Sequence, residues 1–160
     1  MSEAIAALFL RIAPGLVGAE IQSAVNGPQA LHWVEPPHEV AIAPESLLAL
    51  VSGGSPQAGA WLPFDAAPLR FGLARLAIVA DAQDRPVSFD AVLRVFHGDD
   101  RFAWSVVAGF LEISDLQLQL YSAVQGDEGP RLAMTGVAQV LGLPFAVSHD
   151  IVDGFRLITA

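Results

Sequence analysis

Residues 32–39, HWVEPPHE, hold the densest group of potential metal ligands in the sequence. Two imidazoles and two carboxylates could bind a hard or borderline divalent ion. Pro36 and Pro37 prevent the helical register that would place such ligands on one face. We therefore interpret the segment as a solvated loop and predict no metal or other cofactor. If a metal did bind, the candidate ligands would be His32, Glu35 and His38.

Acidic pairs are the next residues that could do chemistry. General acid–base catalysis needs two carboxylates that converge on one cleft. The pairs Asp99-Asp100 and Asp127-Glu128 lie in turn-like segments, where Asp favours backbone hydrogen bonds. Glu112 and Asp115 fall at a phase break, and His149-Asp150 sets a base beside an acid without a nucleophile-elbow serine. We predict no catalytic residues.

Aromatic residues in the sequence indicate a binding surface or an apolar cavity. Apolar side chains alternate through residues 102–110, and Val107 and Leu111 put further apolar side chains on the opposite face. A sheet that is apolar on both faces must be covered twice. The second cover would be a second sheet, another subunit or an apolar ligand. The residues predicted to form this interface or cavity are Phe102, Trp104, Phe110, Phe155 and Leu157.

The composition narrows the choice of partner. The 160 residues are 53% hydrophobic and 16% charged, with a net charge of −9, which argues against binding nucleic acid or anionic lipid. Charged residues and proline interrupt every apolar stretch before it reaches the length of a spanning helix, about 20 residues, so we do not expect a membrane protein. Glu3 stands where a secretory signal would be basic. The chain has no cysteine, and we predict a cytoplasmic, bacterial protein.

The N-terminal third is predicted to be helical. Ser2 can cap a first helix, which Pro14 would interrupt. A second helix could run from Pro14 to the stop signal at 26–28, followed by extended or irregular chain over 29–43. A short helix is predicted from Pro44, followed by a flexible joint at 52–59. The whole chain, residues 1–160, is predicted to form a single domain.

From residue 60 the period becomes two, which is typical of strands. The steps of three at Ala74-Arg75 and Ser114-Asp115 would swap the faces of a regular strand, so a bulge or break is expected at each. The prediction is an α+β fold: mainly an antiparallel β meander, as a sandwich or an open barrel, with a helical N-terminal third (1–51).

A degenerate repeat is also predicted. The stretches VAGFLEI and VDGFRLI share a Gly-Phe pair, and the implied unit is about 40–45 residues long. Through LEISDLQLQLYS, RLAMTGVAQVLG and DGFRLI, residues 60–160 resemble large bacterial amphipathic β-repeat proteins of unknown function. The resemblance implies a β-rich repeat and supplies no catalytic residues.

Two functions follow as hypotheses. The first is a non-enzymatic structural or interaction module that self-associates, as a homo-oligomer, or docks into a larger protein assembly through an apolar β surface, with strand addition at an open edge as the mode. The alternative is a carrier of an apolar small molecule or lipid, or a cyclase-like enzyme with a hydrophobic β cavity.

Overall fold

One curled, antiparallel β-sheet dominates the computed structural model, which describes residues 1–43, 68–123, 131–150 and 154–159. The sheet forms a half-barrel, and strands account for 59% of the chain. The α-helix is α1 (Glu3–Ile12), followed by a 3-10 turn at Pro14–Leu16. The strands are β1 (Gln22–Asn26), β2 (Gln29–Val34), β3 (Val40–Ala41), β4 (Leu69–Ala80), β5 (Pro86–His97), β6 (Asp100–Arg101), β7 (Trp104–Val107), β8 (Leu111–Ala123), β9 (Arg131–Val140), β10 (Leu143–Asp150) and β11 (Gly154–Thr159).

The first helix agrees with the sequence prediction. Ser2 caps α1 by accepting a hydrogen bond from the amide of Ile5, at 3.3 Å. The helix ends before Pro14, whose missing N–H and fixed φ do not allow it to continue. Its apolar stripe is buried and packs in the core of the sheet; it consists of Ile5, Leu8, Phe9 and Ile12.

The second predicted helix is wrong, and a helical N-terminal third is not confirmed. After the 3-10 turn, residues 22–26 form strand β1, and the predicted stop at Asn26-Gly27-Pro28 is a hairpin turn into β2. Gly27 has a φ of 62°, which glycine adopts without strain. The predicted extended chain over 29–43 is confirmed for β2 and β3. The short helix after Pro44 and the joint at 52–59 lie outside the described residues.

The strands form a sheet whose order is β1-β2-β4-β5-β8-β9-β10-β11. Three short strands extend it: β3 pairs with β4, β6 with β5, and β7 with β8. The predicted antiparallel meander is therefore confirmed. The finer forms of that prediction, a sandwich or a barrel, are not confirmed, because the described strands make one curled sheet with α1 packed in its core.

Both predicted breaks are present as irregularities in the pairing. In β4 the register shifts between Leu73 and Arg75. In β8 it shifts between Ser114 and Gln117, and Asp115 there has a φ of 51°. In a regular strand, a step of three would turn the following apolar side chains away from the core. The extra residue at each irregularity turns them back toward the core. The step of three in the sequence thus has a direct structural counterpart.

The two faces of the central strands differ sharply. One face of β5 is buried along Phe89, Ala91, Leu93 and Val95. The paired positions of β4 are buried with it, as are Leu118 and Leu120 of β8. The opposite face is more polar: Gln119 donates to the carboxylate of Asp90, with Nε2–O distances of 2.9 and 3.2 Å. The centre of this face is therefore solvated and does not require a second apolar layer.

Candidate functional site

The five residues predicted to form one interface lie in different elements of the fold. Phe102 and Trp104 are half-buried and pack against the core. Phe110 is 54% exposed in the turn between β7 and β8. Phe155 and Leu157 lie on β11, where their backbones pair with His149 and Val147. Of these five residues, Phe110 is the one whose ring is described as exposed and could contact a partner.

Phe110 belongs to an exposed apolar cluster at one end of the sheet. The turns of the β7–β8 and β9–β10 hairpins lie side by side there, because β8 pairs with β9 through Leu111 and Val140. An open groove of about 350 Å³ separates the two turns. We name the cluster the apolar tip; its members are exposed by 52–83% and are Val107, Phe110, Leu141 and Leu143.

Leu141 is the most unusual member of the apolar tip. The two-residue turn Leu141-Gly142 joins β9 to β10, with φ values of 52° and 79°. A turn with two positive φ values favours Asn-Gly or Asp-Gly. A leucine there is strained by about 1–2 kcal/mol, yet its side chain is 83% exposed and so gains little from burial. Strain of this kind in a surface turn points to a role outside the fold.

Sequence reasoning identified Phe110 but missed the rest of the apolar tip. Leu141 was not recognised as a turn residue. The available signal was the Leu-Gly pair between two apolar-periodic segments, because a two-residue hairpin turn needs a residue that tolerates positive φ. Nothing in the sequence indicates that Val107 and Leu143 are exposed, because apolar residues of this kind are usually buried.

A second unusual position is His32, which was predicted as a candidate metal ligand in a loop. The structure places it on β2, 4% exposed and directed into the sheet beside Ile78. A hydrogen bond of 2.7 Å joins its Nδ1 to Oγ of Ser23 on β1. Its Nε2 is buried without a hydrogen-bonding partner among the described residues. Burial lowers the pKa of His32, the positive N-terminus lowers it further, and Asp84 opposes this effect.

This environment makes a prediction for stability. Because the pKa of His32 is lowered in the folded state from the ordinary value of 6.5, the unfolded chain binds the proton more readily. The free energy of unfolding should therefore fall as the pH drops below about 6.5, before most carboxylates become protonated. In His32→Leu this part of the decline should disappear in urea titrations at each pH. The matched control His38→Gln, at an exposed position, should retain it; equal profiles for both variants would contradict the assignment.

The other candidate ligands and acids do not converge. Glu35 is exposed and lies 3.8 Å from Arg75, and His38 is exposed. Within the described parts of the chain no three His, Asp or Glu side chains could hold a metal ion together. Asp99 lies in the β5–β6 turn, and Asp127-Glu128 lies outside the described residues.

Comparisons with known proteins give no further guide. No protein-family model, curated protein or solved structure matches the chain. The resemblance to bacterial β-repeat proteins therefore stays a prediction. Across residues 1–43, 68–123, 131–150 and 154–159, no helix has the length and apolar character needed to cross a bilayer.

Proposed function

We propose that this protein is a non-enzymatic interaction module that self-associates or docks into a larger protein assembly through the apolar tip. The observation that carries the proposal is the strained, solvent-facing Leu141 beside exposed Phe110. Exposed apolar clusters are typical of protein-binding surfaces, and aromatic residues contribute much of the energy at such surfaces. The proposed partner is a protein; we expect no nucleic acid, because the net charge is −9.

Leu141→Asn tests the proposal by two effects of opposite sign. Asparagine tolerates a positive φ, so the variant should be more stable than the wild type by about 1 kcal/mol. It should also associate more weakly, because the exposed leucine is lost. Thermal unfolding measures the first effect, and sedimentation velocity over a concentration series measures the second.

The matched control is Val17→Thr, which changes a valine that is 76% exposed directly after the 3-10 turn. Its association should equal that of the wild type. A wild type that self-associates as strongly as Leu141→Asn would show that the apolar tip is not the surface between copies. The proposal is supported if Leu141→Asn is more stable than the wild type and also associates more weakly.

A second function is favoured by the groove between the two hairpin turns. Its volume of about 350 Å³ falls within the range of small-molecule sites, about 300–1,000 Å³. The groove is lined by Val107, Phe110 and Leu111 together with Glu112 and Gln139. A carrier of an apolar small molecule or lipid, or a cyclase-like enzyme, would hold its ligand in this groove. Native mass spectrometry distinguishes the two functions, because a carrier should retain a co-purified apolar molecule that Phe110→Ser releases.

A further inference from the structure

Among the described strands, β1 is an edge of the sheet, at the end opposite to β11. All five of its residues, Gln22–Asn26, are exposed. The pairing with β2 is regular from Gln22 to Asn26, without a bulge. Proteins usually protect such edges with charges, proline or bulges, because a second strand can otherwise add to them. The segment QSAVN has none of these, whereas the other edge strand, β11, carries Arg156.

The register identifies which backbone groups are free on this edge. Asn26 and Gln29 close the two-residue turn, so they form a hydrogen-bonded pair. Hydrogen-bonded and non-hydrogen-bonded pairs alternate along an antiparallel ladder. Gln22 and Ala24 therefore direct their N–H and C=O groups toward β2. Ser23 and Val25 direct theirs outward, where no described residue bonds to them.

We propose that a second copy of this chain pairs with β1, antiparallel and about a two-fold axis at Ala24. In this register Ser23 of each copy lies opposite Val25 of the other, and the outward groups make four backbone hydrogen bonds. The amide side chains of Gln22 and Asn26 face each other across the copies. The Ser23–His32 hydrogen bond holds the edge strand on β2.

Local charge permits this pairing although each chain carries a net charge of −9. The nearest acid along the chain is Glu20, two residues before β1. In the proposed register Glu20 lies opposite Pro28 of the other copy, so no two carboxylates oppose each other. The proposal depends on β1 alone; the apolar tip is on other strands and stays exposed in this dimer, available for the association proposed above.

Val25→Pro tests the backbone pairing. Proline is tolerated on an edge strand where the N–H faces solvent, and the N–H of Val25 faces away from β2. The variant should therefore fold like the wild type, as checked by circular dichroism and thermal unfolding. Its dimerisation should weaken about tenfold or more, because two of the four hydrogen bonds are lost. The control Val25→Thr keeps the N–H and should retain the dimer in sedimentation velocity.

Ala24→Cys tests the register, and it is informative because the chain has no cysteine of its own. Two copies of Ala24 would form a non-hydrogen-bonded pair with Cα atoms about 4.5 Å apart, within the range of a disulfide, about 4.4–6.8 Å. Mild oxidation should link the variant into a dimer on a non-reducing gel. The control Gln22→Cys should not cross-link, because its two copies would be about 13 Å apart.

Three results would overturn the inference. One is a monomeric wild type at every concentration; another is dimerisation of Val25→Pro equal to that of Val25→Thr. The third is cross-linking of Ala24→Cys no faster than that of Gln22→Cys. A dimer that is lost in Leu141→Asn but kept in Val25→Pro would assign the contact to the apolar tip, so the failure of this inference is distinguishable from the failure of the proposed function.

Discussion

Replacing Phe9 by alanine should lower the free energy of unfolding by about 3–5 kcal/mol, the usual cost of truncating a buried aromatic ring. Phe9 lies on α1 and is fully buried in the same core cluster as Phe89 and Leu93 of β5. The cost combines the lost burial of the ring with the cavity that remains between the helix and the sheet. Urea unfolding, followed by circular dichroism, measures the change.

The matched control is Leu10→Ala, one residue further along the same helix. Leu10 is 39% exposed, and alanine is the best helix former, so this variant should lose about 1 kcal/mol or less. A loss for Phe9→Ala no greater than that for Leu10→Ala would mean that α1 does not contribute to the core. A large loss would show that the sheet depends on its helix.

Gly136→Ala should destabilise the protein by about 1–3 kcal/mol, although alanine suits a strand no worse than glycine. Gly136 lies on β9 beside the irregularity of β8. A Cβ atom at this position would lie 2.9 Å from the carbonyl oxygen of Ser114 and 2.7 Å from Cγ2 of Ile113. A backbone oxygen cannot rotate away as a side chain can, so the two strands must separate or shift their register.

The control for this variant is Thr135→Ser, at the neighbouring exposed position of β9. It should change stability by only a few tenths of a kcal/mol, as most surface substitutions do. Thermal unfolding of the two variants, compared with the wild type, measures the difference. Equal midpoints for Gly136→Ala and the wild type would show that β8 and β9 tolerate the extra methyl group.

The periodicity of the sequence predicted the sheet well because the long central strands β4, β5 and β8 each have one buried face. Alternation is a direct consequence of that burial, and its interruptions at Ala74-Arg75 and Ser114-Asp115 marked both irregularities. The cap at Ser2 and the end of α1 before Pro14 were predictable for a similar reason. Each depends on chemistry within a few residues of the chain.

Residues 14–26 show where this reasoning fails. Their apolar residues fit a helical stripe, but Val17 and Val25 are 76% and 80% exposed while Leu16 is buried. The stripe therefore does not correspond to a buried face. The backbone pairing of β1 with β2 decides the conformation, and short edge strands with no buried face leave no periodic signal.

The candidate site was less predictable than the fold. Phe102, Trp104 and Phe110 have the same character in the sequence, yet the core half-buries the first two and the turn exposes the third. Whether an apolar side chain is covered depends on strands that are distant along the chain. The hydrogen bond between His32 and Ser23 was unpredictable for the same reason, because it required β1 to be a strand.

The irregularity in β8 also determines how the two ends of the sheet are connected. Beyond Arg94, which pairs with Gln117, β8 leaves β5 and takes β7 as its neighbour. Two connections therefore join the apolar tip to β5: the part of β8 from Gln117 onward, and the segment of β6 that pairs with β5 and leads into β7. We expect the end that carries the apolar tip to adjust its tilt to a bound surface while the part that holds the helix keeps its shape.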